Sequence, residues 1–89
     1  MSTPPQLVLV EWEDACAPDT TPWVENANHE YKPHIVYSVG FMLYDEEDGI
    51  IICGSWQPAG FVGSRDQIPR GMIRSITPIG PVEGKRKKR

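Results

Sequence analysis

Four side chains in this sequence have the chemistry of metal ligands or of a nucleophile and its base: Cys16, Cys53, His29 and His34. A tetrahedral zinc site is normally assembled from closely spaced pairs, two cysteines followed by two histidines. Here the cysteines stand far apart and the histidines have no cysteine pair to complete them, so the spacing defines no metal centre. Nucleophilic catalysis needs a thiol held against a base. Cys53 falls mid-strand between Ile52 and Gly54, where packing accounts for it, and Cys16 lies in a polar loop with no fixed partner. Glu11 and Glu13 share one strand face about 7 Å apart, which is the ordinary arrangement of solvated strand carboxylates. The acidic run Asp45-Glu46-Glu47-Asp48-Gly49 lacks the alternating ligands and terminal glutamate of an EF-hand loop, and reads as a charged hairpin tip. No glycine-rich phosphate loop is present. The expectation is a protein without catalytic residues, metal or cofactor.

Charge is distributed unevenly. Lys85, Arg86, Lys87, Lys88 and Arg89 hold five of the nine basic residues, so residues 1–84 set four cations against all twelve acids, a net of −8. Five consecutive cations attract phosphates regardless of sequence. With four or five phosphates neutralised, the logarithm of affinity falls with the logarithm of salt at a slope of roughly −4. Contact with nucleic acid is therefore expected to lie in this tail, because the acidic body repels a phosphate backbone. The other reading is that the tail solubilises the chain or folds onto that body.

The elements that must position these groups are strands. With 89 residues there is room for one domain, and a domain this small buries only roughly 60% of its unfolded surface. Eight glycines and nine prolines suit short strands and turns rather than a helical bundle. No run approaches the roughly 20 apolar residues of a membrane span, and the N-terminus does not read as a signal peptide. With only two cysteines the thiols are expected reduced, in a cytoplasmic compartment.

Residues 1–5 read as a disordered lead-in, 6–80 as a small β domain and 81–89 as a flexible basic tail. Residues 7–13 alternate as a strand, with Val8, Val10 and Trp12 on one face and Glu11 and Glu13 on the other. Within the polar stretch that follows, Thr21-Pro22-Trp23-Val24-Glu25 has the signature of a helix start, giving a short helix near 22–29. Residues 35–44 form a long strand with Ile35, Tyr37, Val39, Phe41 and Leu43 on one side. The acidic turn ending in Asp48-Gly49 returns it through residues 50–56, a β-hairpin. Gly40 and Gly54 mark bulges or bends. Residues 57–66 read as a loop, followed by a short edge strand at Gln67-Ile68-Pro69, a tight turn and a final strand ending near Ile76. Trp12, Trp56, Phe41 and Tyr37 are expected to build the core.

This order resembles the SH3-like and Sm-like small barrels over about residues 6–79. Ile68-Pro69-Arg70-Gly71-Met72-Ile73 is similar to the proline-bearing turn before the last SH3 strand, and its Arg70-Gly71 resembles the Arg-Gly step of the second Sm motif. The asparagine expected in the first Sm motif is missing after Gly40, and Met72 stands where an SH3 peptide site needs a tyrosine. The resemblance thus implies a closed barrel without the uridine pocket or the proline-rich groove. The stretches Val10-Glu11-Trp12-Glu13-Asp14-Ala15, Ser38-Val39-Gly40-Phe41 and Ile68-Pro69-Arg70-Gly71-Met72 also resemble short uncharacterised bacteriophage proteins. That likeness implies a phage accessory protein in the host cell cytoplasm.

The function expected from all this is non-enzymatic binding: protein–protein contact with a host or phage protein, or with a second copy, through an apolar edge running from Trp56 through Phe61 to Met72. The alternatives are nucleic-acid binding through Lys85, Arg86, Lys87, Lys88 and Arg89, or capture of a small nucleotide between subunits. Arg65, Arg70 and Arg74 are the body cations placed to grip its phosphate.

Overall fold

A computed structural model of the chain describes residues 3–14 and 31–80. Five antiparallel strands form one sheet in the order β4-β3-β2-β1-β5. The strands are β1 (Leu7–Asp14), β2 (His34–Glu46), β3 (Gly49–Trp56), β4 (Val62–Pro69) and β5 (Ile73–Pro78). A single 3-10 turn, Arg70–Met72, links the last two. Mainly β architecture is therefore present as expected. The closed barrel is not: β4 and β5 are the two edges of the sheet and do not pair with each other. The helix expected near 22–29 lies outside the described residues.

The first strand behaves as its alternation dictates. Val8 and Val10 are buried, and Trp12 packs against the cluster they form with Ile50, Ile52 and Ile68. Met42, Ile73 and Ile76 complete that cluster from β2 and β5. The β2–β3 hairpin is where the sequence put it, and its turn narrows to Glu47 and Asp48.

Three expectations are corrected. First, Tyr37 is not in the core. It is 65% exposed, and Val39 is 55% exposed. The face of β2 that meets the core carries Val36, Ser38, Gly40 and Met42, because these stand opposite Trp12, Val10, Val8 and Ile52. The large groups are supplied by the neighbouring strands, so β2 contributes small ones. The Trp12 indole N–H donates to Ser38 Oγ at 3.0 Å. At Gly40 a β-carbon would lie 2.7 Å from the Cys53 carbonyl oxygen and 3.1 Å from Ile52 Cβ, which leaves space for glycine alone. Phe41 and Trp56 are half-buried and stand outside the core cluster.

Second, the ladder irregularity of β2 is not at Gly40 but between Met42 and Tyr44. Gly40 stays in register opposite Val8, and the β3–β4 ladder shows no register shift around Gly54. Leu43 falls within the β2 irregularity rather than continuing the alternation.

Third, the loop expected over 57–66 is mostly strand. β4 begins at Val62 and pairs along β3 from Trp56↔Val62 to Gly49↔Pro69. Its side chains are exposed on both faces except Ile68, which is buried, and Gly63, which is half-buried. An edge strand wet on both faces has no apolar alternation to read.

Candidate functional site: a projecting hairpin arm and the cations around it

The β2–β3 ladder ends at Phe41↔Cys53, whereas the β3–β4 ladder continues to Ser55↔Gly63 and Trp56↔Val62. The ends of β3 and β4 thus form a two-stranded arm extending past the ladder with β2. The arm is closed by residues 57–61, where Gln57 N–H donates to the Phe61 carbonyl at 2.9 Å and Gly60 N–H to the Gln57 carbonyl at 3.0 Å. Gly60 adopts φ 108°, a conformation open to glycine. Ser64 takes φ 57° within the arm, opposite the small Gly54.

The arm carries Phe61, 69% exposed, Val62, 39% exposed, and the half-buried Trp56. Aromatic and aliphatic groups gathered at an exposed tip are the usual anchors of a protein contact. Val62 was missed because it sat in an apparent loop. Its pairing with Trp56 is the feature that brings it to the arm.

Met72 does not join this group. It follows Pro69, which pairs with Gly49, while Trp56 pairs with Val62 at the opposite end of β3. Eight strand residues separate the two ends by about 23 Å. The expected Trp56-to-Met72 edge is therefore two places, not one.

The three arginines do not converge either. Arg65 is mid-β4 and exposed, paired in register with Cys53. Arg70 lies in the 3-10 turn at the far end of β4, where Nη2 is 2.5 Å from Asp45 Oδ1. Its Nε donates to the Glu46 carbonyl at 3.2 Å, Nη2 also donates to that carbonyl, and its backbone N–H donates to the Asp48 carbonyl at 3.0 Å. Arg74 sits on β5 at the other edge of the sheet, with Nη2 3.3 Å from Glu13 Oε1. Two of the three guanidinium groups thus face their own carboxylates. Lys85, Arg86, Lys87, Lys88 and Arg89 lie outside the described residues.

One open cleft of about 440 Å³ lies beside the hairpin tip, lined by Tyr44, Asp48, Ile51, Gln67 and Pro69 among others. The Tyr44 hydroxyl donates to Asp48 at 3.0 and 3.3 Å. That bond first, then partial desolvation and the charges of Asp48 and Glu46, hold the phenol above its ordinary value. No basic residue lines the cleft, so its chemistry does not suit an anionic ligand.

Cys53 is a free, buried thiol, as its mid-strand position predicted. Cys16 and His29 lie outside the described residues, and His34 opens β2. Among the described residues no group of three or more His, Cys, Asp or Glu side chains is arranged to hold a metal ion. Among them, too, no helix is long and apolar enough to cross a membrane. Comparison with family models, curated proteins and solved structures finds no match for this chain.

Proposed function

We propose that this chain is a non-enzymatic binding module that works by protein–protein contact, with the β3–β4 arm as its contact element. The observation that carries this reading is the exposure of Phe61 and Val62 beside Trp56, at the tip of an arm that runs beyond the β2–β3 ladder. A tip of this kind inserts its aromatic group into a partner's pocket, while the β4 edge beside it, paired on one side only among the described residues, offers backbone donors and acceptors. The strand order, with β5 beside β1 and a 3-10 turn leading into β5, supports kinship with the SH3-like and Sm-like small barrels. The setting that fits best is a phage accessory protein in the host cytoplasm, acting on a host factor or on itself.

The test is affinity capture from host lysate with the full chain and with Phe61→Ser, each with and without nuclease. Loss of the captured protein with Phe61→Ser, unaffected by nuclease, is the expected result. Capture that depends on nucleic acid and disappears on removing residues 85–89 would replace this reading with binding through the tail. The five consecutive cations support that second reading. Nucleotide capture by Arg65, Arg70 and Arg74 has less support, because Arg70 and Arg74 stand apart and are ion-paired.

A further inference from the structure

The outward face of the sheet carries an apolar strip with opposite charges on its two sides. Residues paired across a ladder share a face. Leu7, Phe41, Cys53 and Arg65 form one such row, Leu9 and Val39 the next, and Glu11 and Tyr37 a third. In this strip Tyr37 and Val39 are well exposed, and Leu7, Leu9 and Phe41 are half-buried. Arg65 flanks it on β4 without an ion-pair partner among the described residues. Glu11 flanks it on β1, holding only a hydrogen bond from Ser75 Oγ at 3.4 Å.

We propose that this face is a twofold interface with a second copy of the chain. The proposal deepens the binding-module reading by assigning self-association to a surface other than the arm. Two relationships carry it. Two exposed β-branched and aromatic side chains side by side on a sheet face are a surface that a second sheet covers at about 10 Å spacing. The second is charge. Arg65 and Glu11 are separated by three strand spacings and four residues, about 14 Å across and about 13 Å along. The midpoint of that line falls beside Val39 and Phe41. A twofold axis lying in the interface there sets Arg65 of each copy over Glu11 of the other, with Val39 and Phe41 at the centre. An isologous contact of this kind closes at two subunits.

The test is sedimentation of the full chain from micromolar to millimolar concentration. The wild type is expected to form a dimer. Val39→Glu, placing a carboxylate at the centre of the face, should weaken it by at least about a hundredfold, with an unchanged circular-dichroism spectrum. Arg65→Glu and Glu11→Arg should each weaken it about tenfold, and the two together should restore it. Because Glu11 is half-buried, Glu11→Gln serves as a second, milder variant and should weaken the dimer by a smaller factor. A monomer at every concentration overturns the proposal. So does a ring of three or more, a dimer indifferent to Val39→Glu, or a charge-reversed pair that fails to recover. Phe61→Ser is expected to leave the dimer intact. Loss of partner capture with Phe61→Ser and loss of dimer with Val39→Glu therefore report on the arm and on the face separately.

Discussion

The Arg70 guanidinium lies 2.5 Å from the Asp45 carboxylate, tying the turn after β4 to the far end of the β2–β3 hairpin. With the Glu46 carbonyl as a further acceptor, this side chain holds two segments twenty-five positions apart in sequence. Its role is architectural, and neither Arg65 on β4 nor Arg74, paired with Glu13 on the other side of the sheet, shares its partners.

Replacing Arg70 by alanine is expected to cost about 0.5–1 kcal/mol, since the pair is exposed and screened. The loss should shrink at high salt. Urea unfolding at low and high salt reads both quantities. A loss of several kcal/mol, independent of salt, would mean that packing rather than charge dominates.

Tyr44 supplies a pH prediction. Its phenol is raised above 10.0 in the folded chain because it donates to Asp48 beside further negative charge. Folding thus favours the neutral phenol. The stabilisation is complete below the unfolded value and is lost as pH rises through the higher folded one. Phenolate absorbance should show one late-titrating tyrosine that disappears in Tyr44→Phe and titrates earlier in Asp48→Asn.

Gly40 is the position where one methyl group should matter most. Gly40→Ala sets a carbon 2.7 Å from the Cys53 carbonyl oxygen, a backbone atom that moves only with its strand. A cost of about 1–3 kcal/mol is expected in urea unfolding. Gly71→Ala meets nothing within 4 Å and should change stability by less than about 0.5 kcal/mol.

The bond from Trp12 to Ser38 explains why a hydroxyl is tolerated on the core side of β2. Ser38→Ala should cost about 1 kcal/mol, because the indole N–H is left without its acceptor. Trp12→Phe combined with Ser38→Ala should cost less than the sum of the single changes. A double-mutant cycle measures that coupling.

The elements with a strong internal pattern were legible in the sequence. β1 alternates cleanly, and the acidic turn ending in Gly49 fixed the hairpin within a residue or two. β2 misled because both its faces carry apolar groups. The larger set faces outward, and the side toward the core is thinned by Ser38 and Gly40 to admit Trp12 and the backbone of β3. β4 was hidden because, among its side chains, only Ile68 is fully buried. Of the candidate site, Trp56 and Phe61 were identified from residue type. The separation of Met72 from them depends on register, which no local pattern encodes. The scattering of the arginines has the same origin.

β5 completes the sheet by lying along β1, with Val8 beside Pro78 and the Ile79 N–H bonded to the Leu7 carbonyl. The first and last strands of the domain are thus direct neighbours. During synthesis, β1 must wait with one flank bare until β5 has left the ribosome, while the β2–β3 hairpin can close early. Loss of even the last few residues of β5 would therefore expose the side of β1 and reopen the isoleucine- and valine-lined centre of the domain to water. That makes the end of β5 the part of this fold most vulnerable to premature termination.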